Sequence, residues 1–361
     1  MTKRVFNFNS GPAVLPLSVL EEVQRDLMTL PGVGMSILEL THRSKTFDLI
    51  IRSAESSLRE LLGIPNNYHV LFLQGGASLQ FSMVPMNLLA KDKSADYIVT
   101  GTWSKKAVKE ALRVGTVNIV ATTEDRNFSR IPQQDEFKLD DSAAYVHITT
   151  NNTIFGTEWK TEPSVGNVPL IADASSNILS RPIPIEKYAL IYAGTQKNIG
   201  TSGVALVIIR NDLLDHIPNG LHTMLDYRTH VENKSLYNTP NTFGIYIISL
   251  VCQWLQKKGG LTAVQWENEG KAKLLYNVID ASDFYRGHAD TNSRSLMNVT
   301  FRLPSEELEK LFVEEAAAAG FEGLKGHRSV GGLRASIYNA CPREAVKALV
   351  SFMKNFEQKY G

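Results

Sequence analysis

The chain has 361 residues, of which 43% are hydrophobic and 21% are charged, as is typical of a globular protein. Its 38 basic and 37 acidic side chains give a net charge of +1, so no overall field attracts nucleic acid or a membrane surface. Two cysteines, Cys252 and Cys341, are too few for a disulfide framework or a zinc cluster, and we predict no metal site. This length predicts one large domain and one smaller domain.

The N-terminal residues become polar shortly after Arg4, without the apolar segment of a secretory signal peptide. The longest apolar stretch, residues 243–255, is shorter than the roughly 20 residues that a helix needs to span a bilayer. We interpret it as a buried helix that stops at Gly259. A cytoplasmic protein without a membrane segment is therefore expected.

Seven short apolar segments are predicted to form β-strands, and helical segments alternate with several of them. These strands are predicted at residues 69–73, 97–100, 117–121, 144–149, 169–173, 189–193 and 204–209. Strands that are apolar along their whole length and alternate with helices are typical of a parallel sheet covered on both faces. We therefore predict an α/β fold with a mainly parallel seven-stranded sheet flanked by helices.

The pattern changes after residue 260. Two helices are predicted at about 267–279 and from the cap residue Ser305 to residue 319, and two strands at 297–303 and 333–337. Pro342 is predicted to occupy the first position of a terminal helix. These elements predict a smaller α+β domain of residues 1–15 and 263–361, beside a large domain of residues 16–262.

Lys197 lies in a loop of small and polar residues between the strands predicted at 189–193 and 204–209. A lysine held at the end of a buried strand is partly desolvated, which lowers its pKa and suits it to form a Schiff base. Taken alone, Lys197 would be interpreted as an ordinary loop lysine, and the residues around it change that interpretation.

Three further features lie at the ends of predicted strands. The small residues 75–78 connect a strand to a helix, where free amides bind phosphate, although a plain turn is an alternative. Asp173 ends a strand and is either a site carboxylate or a turn residue, and Trp103 is either a ring-stacking platform or a core residue. Together with Lys197, these features match what pyridoxal phosphate requires.

The chain resembles the phosphoserine aminotransferase family, class-V pyridoxal-phosphate enzymes of fold-type I, over essentially its whole length. The segments that carry the resemblance are FNFNSGPA (6–13), THRSK (41–45), QGGASLQF (74–81), ADASS (172–176), YAGTQKNIG (192–200), NTP (238–240), GHR (326–328) and RASIYNA (334–340). The resemblance implies that Lys197 holds pyridoxal 5'-phosphate as a Schiff base and that Asp173 pairs with its ring nitrogen. The other implied cofactor contacts are Ala77, Ser78, Trp103, Thr153 and Gln196, with Asn238 and Thr239 supplied by the neighbouring subunit of a homodimer with shared active sites.

The implied reaction transfers the amino group of L-glutamate to 3-phosphohydroxypyruvate and gives O-phospho-L-serine and 2-oxoglutarate in serine biosynthesis. The family's side activity on 4-phosphohydroxythreonine, in vitamin B6 (pyridoxine) biosynthesis, is left open by the sequence. The alternatives are another class-V aminotransferase such as the alanine–glyoxylate type, a cysteine desulfurase, and a silent binding protein on the same fold.

Both substrates carry an α-carboxylate and a second anionic end, so cations are expected at two places. Arg334 is the predicted partner of the α-carboxylate, because a guanidinium fork matches a carboxylate bidentately. The candidates for the distal anion are His42, Arg43, His327 and Arg328, some of them acting across the dimer interface. Ser78 stands where some family members carry an arginine, so this chain has one cation fewer there or recruits another.

Overall fold

The computed structural model describes residues 4–361 and has a seven-stranded sheet at its centre. The strands, in chain order, are β1 (Phe6–Asn7), β2 (Tyr68–Leu73), β3 (Ser94–Val99), β4 (Thr116–Thr122), β5 (Val146–Thr149), β6 (Asn151–Asn152), β7 (Thr157–Glu158), β8 (Leu170–Asp173), β9 (Leu190–Gly194), β10 (Ala205–Arg210), β11 (Arg286–Gly287), β12 (Asn298–Arg302), β13 (Phe321–Glu322) and β14 (Leu333–Ser336). The helices are α1 (Leu17–Met28), α2 (Lys45–Leu62), α3 (Gly76–Leu88), α4 (Thr102–Ala111), α5 (Tyr227–Glu232), α6 (Thr242–Lys257), α7 (Gly260–Asp280), α8 (Glu306–Ala318) and α9 (Arg343–Tyr360).

The strand order of the central sheet is β2-β10-β9-β8-β5-β3-β4, and only β10 runs antiparallel to its neighbours. The predicted α/β fold with a mainly parallel seven-stranded sheet is confirmed. The reversal at β10 follows from its connection to β9, residues 195–204. Ten residues are too few for the crossover that two adjacent parallel strands require.

The two faces of the sheet belong to two apolar cores. Val70 and Phe72 of β2 pack in the core formed with α2 and α6, whereas Leu71 and Leu73 pack in the core formed with α3 and α4. Successive side chains of a strand point to opposite faces, so an uninterrupted apolar strand serves both cores. Burial on both faces fixes the strand ends, and therefore the edge at which the functional side chains collect.

A third apolar core lies among α7, α8, α9, β12 and β14, and Phe8 of the N-terminal segment is part of it. Strand β1 pairs in parallel with β13, which fastens the N-terminal segment to this region. Helix α7 is continuous from the first core, through Leu261, to the third, through Leu275. The division into residues 16–262 and residues 1–15 with 263–361 stays a prediction, and residues 1–3 lie outside the described chain.

Two details of the C-terminal region differ from the sequence prediction. Helix α7 begins at Gly260 rather than near residue 267, because Gly259, with φ +97°, both ends α6 and precedes α7 directly. Pro342 is the N-cap of α9, with φ −69° and ψ 146°, and not its first helical residue. In residues 4–361, none of the helices combines the length and the apolar character needed to cross a membrane.

Candidate active site

The carboxyl ends of β5, β8 and β9 bring polar side chains to one edge of the central sheet. Thr149 pairs in register with Asp173, and Asp173 pairs with Tyr192 of β9, which leads into the loop of Lys197. A cavity of about 240 Å³ opens at this edge. The sequence-predicted residues that line it are Ala77, Ser78, Trp103, Thr153, Asp173, Gln196, Lys197, His327 and Arg334.

The amine of Lys197 is enclosed within this cavity. Its Nζ donates a hydrogen bond to Oγ1 of Thr153 at 2.6 Å. Burial lowers the pKa of Lys197 to about 8, against the opposing effect of the Asp173 charge and with a further lowering by Arg334. At pH 7 about a tenth of this amine therefore has a free electron pair, far more than for a lysine in water, as suits a Schiff-base lysine.

Asp173 is a buried carboxylate that has no cationic partner in residues 4–361 within salt-bridge distance. Its Oδ1 accepts the backbone N–H of Ser175 at 2.9 Å. Burial raises the pKa of Asp173 above its usual value, although the hydrogen bonds from Ser175 and the charge of Lys197 oppose the shift. A buried carboxylate in this state is stabilised by a positively charged donor, such as a protonated ring nitrogen.

The first turn of α3 points unpaired amides into the cavity. The first backbone hydrogen bond of this helix joins Leu79 N to Gly75 O at 3.2 Å, so within the described chain the amides of Gly76, Ala77 and Ser78 have no backbone acceptor. Gly75 adopts φ +83°, which turns the chain sharply out of β2. Free N–H groups at the positive end of a thirteen-residue helix form an anion site.

Trp103 contributes an aromatic surface to the same cavity. It lies in the first turn of α4, and its indole Nε1 is buried without a partner among the described residues. Nζ of Lys106 lies 4.6 Å from the centre of the indole ring. Pyridoxal phosphate has an aldehyde, a ring nitrogen, a phosphate and a flat ring. The amine of Lys197 suits the aldehyde, the carboxylate of Asp173 the ring nitrogen, the amides of α3 the phosphate and the indole of Trp103 the ring face. The site therefore fits that cofactor.

Arg334 lies on β14 and brings a buried guanidinium to the Lys197 cavity. Nη1 donates to the carbonyl of Thr153 at 3.1 Å, and Nη2 donates to Oγ of Ser10 at 2.7 Å. Its Nε is buried without a partner, and no carboxylate of residues 4–361 pairs with it. Burial lowers the pKa of Arg334. A carboxylate supplied by a substrate would relieve this unfavourable state.

His327 and Arg328 lie on a glycine-bounded segment between β13 and β14, residues 325–332, which we call the rim loop. His327 lines the Lys197 cavity, and its Nδ1 accepts the backbone N–H of Ser329 at 3.2 Å, which leaves Nε2 available. Burial lowers the pKa of His327, and the charges of Arg334, Arg328 and Lys106 lower it further. Arg328 lines a neighbouring cavity of about 560 Å³.

Besides Arg328, four predicted residues do not line the Lys197 cavity within one chain. His42 and Arg43 line a separate cavity of about 330 Å³. Asn238 and Thr239 line neither cavity, and the carbonyl of Thr239 accepts a hydrogen bond from the side chain of Gln74 at 2.9 Å. One chain therefore supplies only part of the predicted site.

Sequence reasoning gave no role to several residues that line the cavity, among them Ser10, Thr149, Asn151 and Ser175. Ser10 and Ser175 lie inside the segments that carry the family resemblance, but neither stands out by its residue type. Thr149 ends β5 as Asp173 ends β8, and this equivalence of strand ends was the available signal.

The family model for aminotransferase class-V matches residues 5–349 of the chain. A phosphoserine aminotransferase of Desulfosudis oleivorans is 59% identical over 363 residues, which cover 100% of both proteins. The solved phosphoserine aminotransferase from Bacillus circulans subsp. alkalophilus superimposes with a TM-score of 0.98 at 52% identity, over 99% of each chain. A second solved phosphoserine aminotransferase, described for radiation damage of its Schiff base, matches with a TM-score of 0.98 at 51% identity, over 99% of this chain and 100% of that one.

Proposed function

The chain belongs to the phosphoserine aminotransferase family of class-V aminotransferases, and from this premise we propose how its residues carry out the reaction. The enzyme uses pyridoxal phosphate and transfers the amino group of L-glutamate to 3-phosphohydroxypyruvate, which gives O-phospho-L-serine and 2-oxoglutarate. The structural observation that carries the proposal is that one cavity holds both the low-pKa amine of Lys197 and the guanidinium of Arg334, which pairs with no carboxylate of residues 4–361.

The bound cofactor supplies a carbonyl carbon that accepts amines and a ring that accepts electron density. Lys197 Nζ would take the proton from the substrate α-carbon and deliver it to the carbon that the cofactor contributes. Asp173 accepts a hydrogen bond from the ring nitrogen and keeps it protonated. The amides of Ala77 and Ser78 bind the cofactor phosphate, and Gln196 borders it.

Trp103 and Thr153 complete the cofactor site in this proposal. The indole of Trp103 covers one face of the ring and excludes water from it. Oγ1 of Thr153 accepts a hydrogen bond from Lys197 Nζ at 2.6 Å, so it orients the amine while the lysine is free. Its carbonyl simultaneously accepts from Arg334, which links the amine to the carboxylate-binding side.

The anionic groups of the substrates are assigned to two sets of cations. Arg334 binds the α-carboxylate through its guanidinium fork, next to Ser10. His327 and Arg328, together with His42 and Arg43 of the neighbouring subunit, bind the distal phosphate or carboxylate. Ser78 adds no charge to the α3 anion site, so the distal anion depends on the rim loop and on the second subunit.

We propose a homodimer in which each active site takes residues from both subunits. His42 and Arg43 line a cavity apart from Lys197, which supports their action in the partner's site. Near them in sequence, the apolar side chains of Met35 and Leu38 are 43% and 58% exposed. Tyr237, directly before Asn238 and Thr239, is 51% exposed. An apolar surface of this kind is typical of an interface between subunits.

A desulfurase function is disfavoured by both cysteines. Cys252 lies within α6 and Cys341 precedes α9, and both are buried. Burial raises the pKa of Cys252 to about 12 and that of Cys341 to about 11, so neither is a thiolate near neutral pH. Reduced, buried thiols support a cytoplasmic location.

The function is tested by an assay in which L-glutamate is the donor and the acceptor is either 3-phosphohydroxypyruvate or hydroxypyruvate. We expect turnover with the phosphorylated acceptor and much weaker turnover without the phosphate. Equal rates would contradict phosphate recognition and favour the alanine–glyoxylate type of specificity. The reverse assay, with 2-oxoglutarate as acceptor and 4-phosphohydroxythreonine in place of L-phosphoserine as donor, tests the side activity in vitamin B6 biosynthesis, which stays a prediction.

A further inference from the structure

The rim loop is weakly supported by its own hydrogen bonds. The carbonyl of His327 accepts the amides of Val330 and Gly331 at 3.0 and 2.9 Å, and Gly326 N donates to Gly332 O at 2.8 Å. Two cavities, of about 450 and 560 Å³, border the loop, and Val330 is its apolar side chain that packs against the core formed with α3 and α4. Contacts from other elements must therefore fix its position.

An ion pair outside the loop supplies these contacts. Arg302, at the end of β12, pairs with Glu309 of α8 at 3.2 Å. Nη2 of Arg302 donates to the carbonyl of Val330, and Oε2 of Glu309 accepts the amide of Gly332 at 3.1 Å. Within residues 4–361, these are the hydrogen bonds from outside side chains that reach the backbone of the rim loop.

Two glycines allow the guanidinium to approach the loop this closely. Gly331 and Gly332 adopt φ +69° and +70°, a conformation that other residues rarely accept. A Cβ on Gly331 would lie 3.2 Å from Nη1 of Arg302, and one on Gly332 would lie 3.0 Å from its Cδ. The loop sequence is therefore adapted to Arg302.

The carboxylate of Glu309 joins three elements at one point. It is mostly buried and accepts the backbone amide of Leu303 at 3.4 Å, in addition to the guanidinium of Arg302 and the backbone amide of Gly332. The end of β12, the first turns of α8 and the base of the rim loop are thereby tied together. A loop held in advance loses less conformational entropy when it binds a ligand.

We propose that Arg302 and Glu309 are positioning residues that hold the rim loop where His327 and Arg328 bind the distal phosphate of the substrate. The proposal rests on the proposed function, because it concerns the phosphorylated substrate. Neither residue lines the Lys197 cavity, so both act through the loop and not by contact with the reacting atoms.

The test is Arg302→Met in the cofactor-loaded full chain. We expect the KM for 3-phosphohydroxypyruvate to rise about tenfold, equivalent to about 1.4 kcal/mol. We expect kcat, and kcat/KM for unphosphorylated hydroxypyruvate, to stay within about twofold of the wild type, because the Lys197 site is untouched. Arg302→Lys keeps one charged donor and Glu309→Gln keeps an acceptor, so both should lie between the wild type and Arg302→Met.

The matched control is Arg130→Met, which removes an arginine paired with Glu136 at 2.6 Å that makes no hydrogen bond to the rim loop within residues 4–361. Its KM should equal that of the wild type. Hydrogen exchange of the 325–332 peptide should be faster in Arg302→Met and unchanged in Arg130→Met. This readout does not depend on the substrate.

An unchanged KM and unchanged exchange in folded Arg302→Met would overturn the proposal. Equal losses on both acceptors would also overturn it, because they indicate a general structural effect. If Arg302→Met does not fold, Arg302→Lys and Glu309→Gln decide between the same outcomes. If the wild type does not use the phosphorylated acceptor, the proposed function fails, while the exchange of the rim loop still confirms or refutes the positioning role.

Discussion

The floor of the active site and its rim are built differently. The floor, formed by Thr149, Asp173 and Lys197, lies at the ends of sheet strands that are buried on both faces. The rim loop is partly exposed, bends at glycines and is tied down by Arg302 and Glu309. In the proposed function, residues fixed by the sheet hold the cofactor, whereas the choice of substrate is assigned to the rim loop.

The floor is also rigid below the reacting groups. His147 of β5 is fully buried, and burial lowers its pKa to about 3, so it stays neutral. Its Nε2 lies 2.8 Å from the hydroxyl of Tyr192, and its ring stacks on Tyr97 at 4.7 Å between ring centres. Such packing holds Asp173 and the Lys197 loop within a small range of positions.

The largest effect is expected at the floor. Lys197→Ala should lower kcat by about 10²- to 10⁴-fold or more, because it removes the group that moves the proton at the substrate α-carbon. Steady-state rates measure this loss, and the visible spectrum should show that the cofactor is no longer bound covalently. Lys91→Ala, at an exposed lysine, is the control. Wild-type turnover in a folded Lys197→Ala variant would exclude this mechanism.

Arg334→Ala should raise the KM of both L-glutamate and L-phosphoserine. A hydrogen bond to a charged group is worth about 1.5–3 kcal/mol, so an increase of roughly 10- to 100-fold is expected. Half-reaction rates with each amino acid measure it, and Arg334→Lys should recover only part because it lacks the fork. An effect on one substrate alone would show that Arg334 binds the distal group instead.

The shared site can be tested by mixing two inactive subunits. One carries Lys197→Ala and the other Arg43→Ala, so only the mixed dimer contains a complete site. Statistical mixing should restore about a quarter of the wild-type activity, since half of the dimers are mixed and each has one intact site. Activity after dissociation and reassembly measures it. No recovery in reassembled dimers would show that Arg43 acts in its own subunit.

A further expected effect concerns the pH dependence of cofactor loading, which leaves turnover of the loaded enzyme aside. With the pKa of Lys197 at about 8, Nζ is protonated below that pH and free above it. The rate of covalent loading of the apoenzyme should rise about tenfold per pH unit up to about pH 8 and then level off. Stopped-flow absorbance follows this rate. A rise that continues beyond pH 10 would indicate an ordinary, solvated lysine.

Much of the floor could be predicted from the sequence, because its residues follow apolar strands in a regular order. Lys197 and Asp173 were located by their strand ends, and the structure brings both into one cavity. The direction of β10 was not predicted, since short apolar runs carry no sign of strand direction. Helix α7 was placed too late. The polar and apolar residues of its first turns do not follow a regular helical pattern, and the glycine stop before them indicates only the end of a helix.

The rim could be predicted only in part. His327, Arg328 and Arg334 were found through the family resemblance, but Arg302 and Glu309 were not, since an arginine ending a strand and a glutamate in an acidic helix look like surface residues. Their role depends on a contact across more than twenty residues, from Arg302 to Val330. The grouping of His42 and Arg43 with Lys197 depends on a second chain and stays a prediction.

The contrast between floor and rim is tested most directly by one ratio. This is kcat/KM for 3-phosphohydroxypyruvate divided by kcat/KM for hydroxypyruvate, measured in the wild type and in the double variant His327→Ala with Arg328→Ala. We predict a strong preference for the phosphorylated acceptor in the wild type, most of which is lost in the double variant, while the visible spectrum of the bound cofactor is unchanged. A ratio that is the same in both proteins would contradict the assignment of substrate choice to the rim.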